Sequence, residues 1–208
     1  MRILCIGDSN TWGYNPENGM RFRNRWTRLV AEAMPEHEII EEGLNGRTLL
    51  GLDSLKNERW GLRDLKMILM THKPVDLVVV MLGTNDLKRE FNCCAELLGK
   101  GIKEYIKVIL NPFQWEKYGV PKMLVMSPIL LGESLVRSRG IFGEFDENSL
   151  LQAQYMAQEM EKACKEYQVP FLNAALYAEP SEIDGLHMDE ANHQKLAAAI
   201  CEKLKELE

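Results

Sequence analysis

Val75-Asp76-Leu77-Val78-Val79-Val80-Met81-Leu82 (VDLVVVML) is the stretch on which the fold turns. It is too short for a buried helix, rich in β-branched residues, and apolar without alternation. A strand covered on both faces reads this way, whereas a strand with one wet face would alternate. Ile3 to Ile6 and Lys122 to Met126 (KMLVM) are shorter runs of the same kind. Glu38 to Glu42 reads as a short strand around Ile39 and Ile40, and Pro170 to Leu172 as a brief one. Between them lie stripes at helical spacing. These are Arg25–Met34 (Trp26, Leu29, Val30, Ala33), Trp60–Met70, Cys94–Leu110, Glu147–Tyr167 and a last helix marked by Leu196, Ile200 and Leu204. Five strand signals separated by helices make βαβ units, so the class is α/β: a five-stranded parallel sheet with helices on both faces.

The 208 residues contain no repeat, linker or change of composition, which predicts one domain over 1–208. With 46% hydrophobic and 27% charged residues the chain is an ordinary globular one, not a disordered one. Twenty-five basic against 31 acidic side chains leave a net charge of −6, which argues against a nucleic-acid partner. Five cysteines, two of them adjacent (Cys93, Cys94), show no metal-ligand spacing and predict free, buried or half-buried thiols. The start MRILCIGDSN is too polar for a secretory segment, and no apolar run is long enough to span a bilayer, so the expectation is a cytoplasmic protein with no membrane partner.

In a parallel sheet, ligands bind beyond the carboxyl ends of the strands. The residues just past each strand are small and polar: Gly7-Asp8-Ser9-Asn10-Thr11-Trp12-Gly13, Gly43-Leu44-Asn45-Gly46-Arg47-Thr48 and Gly83-Thr84-Asn85-Asp86. Farther on, Asp184-Gly185-Leu186-His187 places a carboxylate three residues before an imidazole. A serine hydroxyl attacks only when a base takes its proton, a third group holds that base, and donors receive the developing oxyanion. Ser9 fits the nucleophile, His187 the base and Asp184 the group that orients it. The Ser9 and Gly46 backbone N–H groups and the Asn85 amide fit the donors.

With these residues in view, the chain resembles the SGNH hydrolases, also called the GDSL lipase/acylhydrolase superfamily. GDSNTWG, the turn centred on Gly46, GTND and DGLH match its four blocks in order, from residue 7 to residue 187. The run Gly7 to Tyr14, Arg25-Trp26-Thr27, Glu41-Glu42-Gly43-Leu44 and MLGTNDLK are similar to the bacterial arylesterase/acyltransferase branch. The resemblance implies a flavodoxin-like three-layer α/β/α fold, no cofactor, and hydrolysis of small-molecule esters through an acyl-enzyme. In some relatives alcohols compete with water, and several form homo-oligomers that narrow the active-site mouth. Asn10 stands where the family name has leucine and is expected to edge the site and bear on acyl preference.

Each motif also has a plainer reading. Serine after Gly-Asp at a strand end is often a helix cap, Gly46 a tight-turn residue, and Asn85 an Asx turn. Asp86 reads as a capping or structural carboxylate, Arg47 as a surface or loop-anchoring charge, and His193 as a solvated side chain. Trp12, Tyr14, Phe142 and Leu186, with Asn10, are the candidates for lining a substrate pocket. No G-x-G-x-x-G after a strand, no G-x-x-x-x-G-K-[ST] and no G-x-S-x-G elbow are present, which excludes the common nucleotide cradles and the other large serine-esterase fold. A carbohydrate O-deacetylase would use the same triad. A non-catalytic binding protein would be expected to have lost Ser9, Asn85 or His187. The weakly patterned stretch from Leu130 to Asn148 is expected to be a loop or lid that chooses the leaving group.

Overall fold

The computed structural model describes residues 1–51, 55–137 and 144–207. Five strands, β1 (Arg2–Gly7), β2 (Glu38–Gly43), β3 (Leu77–Met81), β4 (Lys122–Ser127) and β5 (Phe171–Asn173), form one all-parallel sheet in the order β2-β1-β3-β4-β5. A single turn, α1 (Ser9–Trp12), and α2 (Trp26–Ala33) separate β1 from β2, and α3 (Gly61–His72) crosses from β2 to β3. The β3–β4 connection carries α4 (Ala95–Ile109) and the short α5 (Pro112–Trp115). Between β4 and β5 come α6 (Ser134–Arg137) and α7 (Glu147–Tyr167), and α8 (Glu190–Leu207) follows β5.

The pleat sorts the strand residues into two cores. Leu4, Ile6, Val78, Val80, Met123 and Val125 face Leu65, Leu69, Leu98, Ile102, Met156 and Met160 of α3, α4 and α7. Ile3, Cys5, Leu77, Val79, Met81, Leu124 and Met126 face Trp26 and Val30 of α2 and Leu196, Ile200 and Leu204 of α8. Every residue of β3 is buried, so the VDLVVVML run is the central strand its composition predicts. At about 1.5–3 kcal/mol per buried aliphatic side chain, the two cores rather than local propensity hold the layers together. Among the cysteines, Cys5, Cys93, Cys164 and Cys201 are buried free thiols, while Cys94 is exposed, contrary to expectation.

Two features position what lies at the strand ends. In this strand order β1 connects outward to β2 while β3 lies on its other side, so the chain changes direction between β1 and β3. A crevice opens at such a switch point. Second, the turn after β1 packs backbone against backbone on β2. A β-carbon on Gly43 would stand 2.3 Å from the Trp12 nitrogen, and one on Gly7 2.0 Å from Thr11 Oγ1.

The stretch from 130 to 148, expected to be a loop, contains α6, and residues 138–143 lie outside the described residues. Its end is tied down. Asp146 accepts the Ser149 N–H at 3.0 Å, Ser149 Oγ accepts the Asp146 N–H at 3.1 Å, and the same hydroxyl donates to the Leu87 carbonyl at 2.6 Å. The start of α7 is thereby fastened to the turn after β3. Among the described residues no helix is long and apolar enough to cross a membrane.

Candidate active site

Asp8 caps α1 by accepting the Asn10 N–H at 3.0 Å, which places Ser9 at the first helical position. Ser9 Oγ lies 2.9 Å from His187 Nε2, and His187 Nδ1 lies 2.6 Å from Asp184 Oδ2. The other oxygen of Asp184 accepts the backbone N–H of Leu186 at 2.9 Å and of His187 at 3.0 Å. These bonds fix the tautomer: Nδ1–H donates to the carboxylate, and Nε2 is left to accept the hydrogen bond of the Ser9 hydroxyl. All three side chains are buried.

Burial opposes the ionised form of Asp184, but the hydrogen bond and charge of His187 and the two backbone N–H groups outweigh it. Its carboxyl is held below the usual carboxylate range. Asp8 behaves oppositely. Burial dominates there and pushes its carboxyl up to about 6, with the Asn10 N–H and the charges of His187 and Arg47 pulling partly back.

The groups expected to act as oxyanion donors converge from three strand ends. Gly46 has φ +79°, a conformation that costs glycine nothing. Neither the Ser9 nor the Gly46 N–H is bonded to another protein group among the described residues. Asn85, in the turn after β3, uses one amide hydrogen on the Arg47 carbonyl at 3.1 Å and has a second to offer. Asp86 beside it accepts the N–H groups of Leu49 (2.7 Å) and Leu50 (2.8 Å), pinning the Gly46 turn to the β3 exit. It is the structural carboxylate expected from its place after Asn85, and burial lifts it to about 7. Arg47 is a loop anchor as well, but a buried one: its guanidinium donates to the carbonyls of Gly7 (3.3 Å) and Glu42 and pairs with the Glu42 carboxylate at 3.5 Å.

Ser9, Gly46, Asn85 and His187 share a cleft of about 290 Å³ with Tyr14 and Leu186. The Tyr14 ring lies 4.3 Å from the His187 ring. Other sequence candidates fall elsewhere. Trp12 does not line the cleft; it lies half-buried under the Arg21 guanidinium, 5.4 Å from the ring centroid. Phe142 lies outside the described residues. Asn10 is 2% exposed and also absent from the cleft wall. Its amide donates to the Leu186 carbonyl at 3.1 Å and its oxygen accepts the Met188 N–H at 2.9 Å, so it clamps the backbone on either side of His187. A helical turn rotates Asn10 about 100° from Ser9, which is why it meets the histidine segment rather than the substrate space.

His193 also departs from expectation: it is fully buried, its Nδ1 accepts the Trp26 N–H at 3.3 Å, and burial pushes it down to about 4. Lys56, Arg59, Lys88, Glu144 and Phe145, which sequence reasoning passed over, line the cleft too. Among the described residues no cluster of His, Cys, Asp or Glu is arranged to hold a metal ion.

A buried Ser–His–Asp line at the switch point of a β2-β1-β3-β4-β5 parallel sheet is the layout of a serine hydrolase without the G-x-S-x-G elbow. Comparison places it more narrowly. The GDSL-like lipase/acylhydrolase family model matches residues 5–195, and the chain belongs to that family, a carboxylic ester hydrolase of the SGNH superfamily. It is similar to the inhibitor-bound aryl esterase of M. smegmatis at 33% identity, covering 100% of this chain and 99% of that one with a TM-score of 0.93. A carbohydrate acetylesterase family member from Sinorhizobium meliloti matches at 30% identity over 99% and 97% of the chains, with a TM-score of 0.90. The lipase/acylhydrolase of Enterococcus faecalis shares the fold at 19% identity, with a TM-score of 0.69 over 99% and 95% of the chains. A comparison with curated proteins returned no match.

Proposed function

We propose that the chain hydrolyses short-chain acyl or aryl esters through an acyl-enzyme on Ser9, with acyl transfer to alcohols competing with water. The observation that carries this reading is the unbroken line Ser9 Oγ–His187 Nε2–His187 Nδ1–Asp184, at 2.9 and 2.6 Å, opening on a cleft that also holds the Gly46 turn and Asn85. Ser9 Oγ bonds to the ester carbonyl carbon as its proton passes to His187 Nε2, and Asp184 stabilises the imidazolium. The Ser9 and Gly46 N–H groups and the Asn85 amide receive the oxyanion. Losing one such donor costs roughly 3–4 kcal/mol of transition-state stabilisation. As the carbon–oxygen bond to the alcohol breaks, Nε2 returns the proton to the leaving oxygen. Water, or a second alcohol, then repeats the sequence on the acyl-enzyme.

The cleft volume of about 290 Å³ is at the small end of ligand pockets and supports a short acyl group. Similarity to an aryl esterase supports aryl leaving groups, and similarity to a carbohydrate acetylesterase supports acetylated sugars as the second reading. Five free cysteines fit a reducing, cytoplasmic setting. Homo-oligomer assembly enters this reading through the resemblance alone and is checked by light scattering.

The test is turnover of p-nitrophenyl esters from acetate to octanoate by wild type and Ser9→Ala. Rates that peak at short chains and vanish in the variant are expected. An undiminished Ser9→Ala rate would refute the nucleophile. Turnover of acetylated sugars but of no p-nitrophenyl ester would favour the deacetylase.

A further inference from the structure

The chain carries a net charge of −6, yet among the described residues its cleft is lined by Lys56, Arg59 and Lys88 against one carboxylate on the wall, Glu144. Lys88 Nζ is paired with that carboxylate at 2.7 Å. Arg59 is placed differently. Its carbonyl accepts both the N–H of Thr48 at 2.9 Å and the Thr48 hydroxyl at 3.0 Å, so residue 59 is pinned to the turn that contains Gly46. Its half-buried guanidinium lies against Gly46: a β-carbon there would stand 2.5 Å from Nη1 and 2.7 Å from Cζ. Arg59 has no carboxylate partner among the described residues, which is also true of Arg23, Arg28 and Arg89, but of these four only Arg59 lines the cleft.

A guanidinium offers five donors in a planar fork that matches a carboxylate. This one stands on the side of Gly46 where a side chain would be, not on the side of its N–H. It is therefore placed to meet a group a few bonds from the reacting carbonyl rather than the oxyanion itself. The local positive field would also concentrate anions at the cleft of an acidic protein. We propose that Arg59 is a specificity-determining residue that binds a carboxylate on the substrate, making the preferred substrate an anionic ester. The inference rests on the reading that Ser9 is acylated in this cleft. The carboxylate can be carried by the acyl portion, as in a half-ester of a dicarboxylic acid, or by the alcohol portion, and both present the same chemistry to Arg59.

The experiment compares two anionic esters with neutral counterparts: mono-p-nitrophenyl glutarate (its self-hydrolysis subtracted) with p-nitrophenyl valerate, and 4-acetoxybenzoate with its methyl ester. Wild type, Arg59→Gln and Arg59→Lys are measured at low and high salt. The expected result is a kcat/KM for one anionic ester at least tenfold above its neutral partner, carried mainly by KM and reduced by salt. In Arg59→Gln that ratio falls toward one, and Arg59→Lys retains part of it. A wild-type ratio of one or less for both pairs overturns the proposal. So does a ratio unchanged in Arg59→Gln, or an equal loss of anionic and neutral turnover. Calorimetric titration of Ser9→Ala with monomethyl glutarate and 4-acetoxybenzoate separates the two readings. Binding that needs Arg59, in a protein whose wild type turns over no ester, keeps the anion site and removes the esterase reading. No binding of either compound refutes the anion site.

Discussion

Replacing Asn10 by leucine, the residue the family name carries there, removes a carboxamide that serves two backbone groups at once. The Met188 N–H loses its acceptor at 2.9 Å and the Leu186 carbonyl its donor at 3.1 Å, and both residues are buried. Leucine has the same number of side-chain heavy atoms and is bulkier, so no cavity term enters. An unmet buried polar group costs roughly 1–3 kcal/mol, so two cost about 2–6 kcal/mol if the segment stays in place. For a domain of this size that is a fall in Tm of roughly 4–24 °C. If instead the segment shifts so that water satisfies both groups, stability recovers but His187 leaves the 2.9 Å contact with Ser9 Oγ. A misplacement of about 1 Å at a reacting centre can cost on the order of a hundredfold in rate. Calorimetric Tm and kcat on p-nitrophenyl acetate, measured on the same preparation, report the two outcomes. Asn10→Asp, which keeps the acceptor and loses the donor, should fall between wild type and Asn10→Leu. An Asn10→Leu protein with wild-type Tm and wild-type kcat would refute the clamp.

Four shorter expectations accompany it. Ser9→Ala and His187→Ala should each remove nearly all turnover and the double variant hardly more, because groups acting as one unit are not additive; additive losses in single-turnover rates would count against coupling. Asn85→Ala should lower kcat by roughly 100- to 1,000-fold with little change in KM, and an equal rise in KM would mean that the amide binds the ground state. His193, depressed to about 4, takes up fewer protons when folded than when unfolded, so its contribution to stability is complete above its unfolded value near 6.5 and is lost as pH falls toward 4. Between pH 7 and 4.5 the wild type should therefore lose about 2–3 kcal/mol more urea stability than His193→Gln, and parallel curves would refute this. Ser149→Ala should cost about 1–2 kcal/mol, read as a lower urea midpoint at unchanged m, since the hydroxyl both caps α7 and bonds the Leu87 carbonyl.

Elements long enough to show a period were legible to within a residue or two: α7 spans the predicted Glu147–Tyr167, and α4 starts and ends one residue inside its predicted range. The single turns α1, α5 and α6 were not, because four residues hold no repeat. At the site, the expected Ser9 meets the expected Asp184 and His187 because the segment after β1 and the segment after β5 converge. The direction of each neighbouring side chain was out of reach. Asn10 and Trp12 stand one and three residues after Ser9, yet the turn of helix sends neither to the cleft: one meets the histidine segment and the other lies under Arg21. His193 carried a signal that was overlooked. It stands three residues before Leu196 and four before Ala197, on the same α8 stripe that buries Ile200 and Leu204. Arg59 and Lys56 lie in an unpatterned segment that reaches the cleft through the pairing of Thr48 with Trp60, a long-range contact that no local rule foresees.

The contact of the first turn with β2 at Gly43 has a practical corollary. The turn that carries Ser9 is located by main chain meeting main chain, with no room for a side chain between. Its coordinates are thus insulated from substitutions on the cleft walls. A combinatorial library at Lys56, Arg59 and Leu186 would retune selectivity around an unmoved Ser9, while a side chain introduced at Gly43 would displace that turn in every member of it.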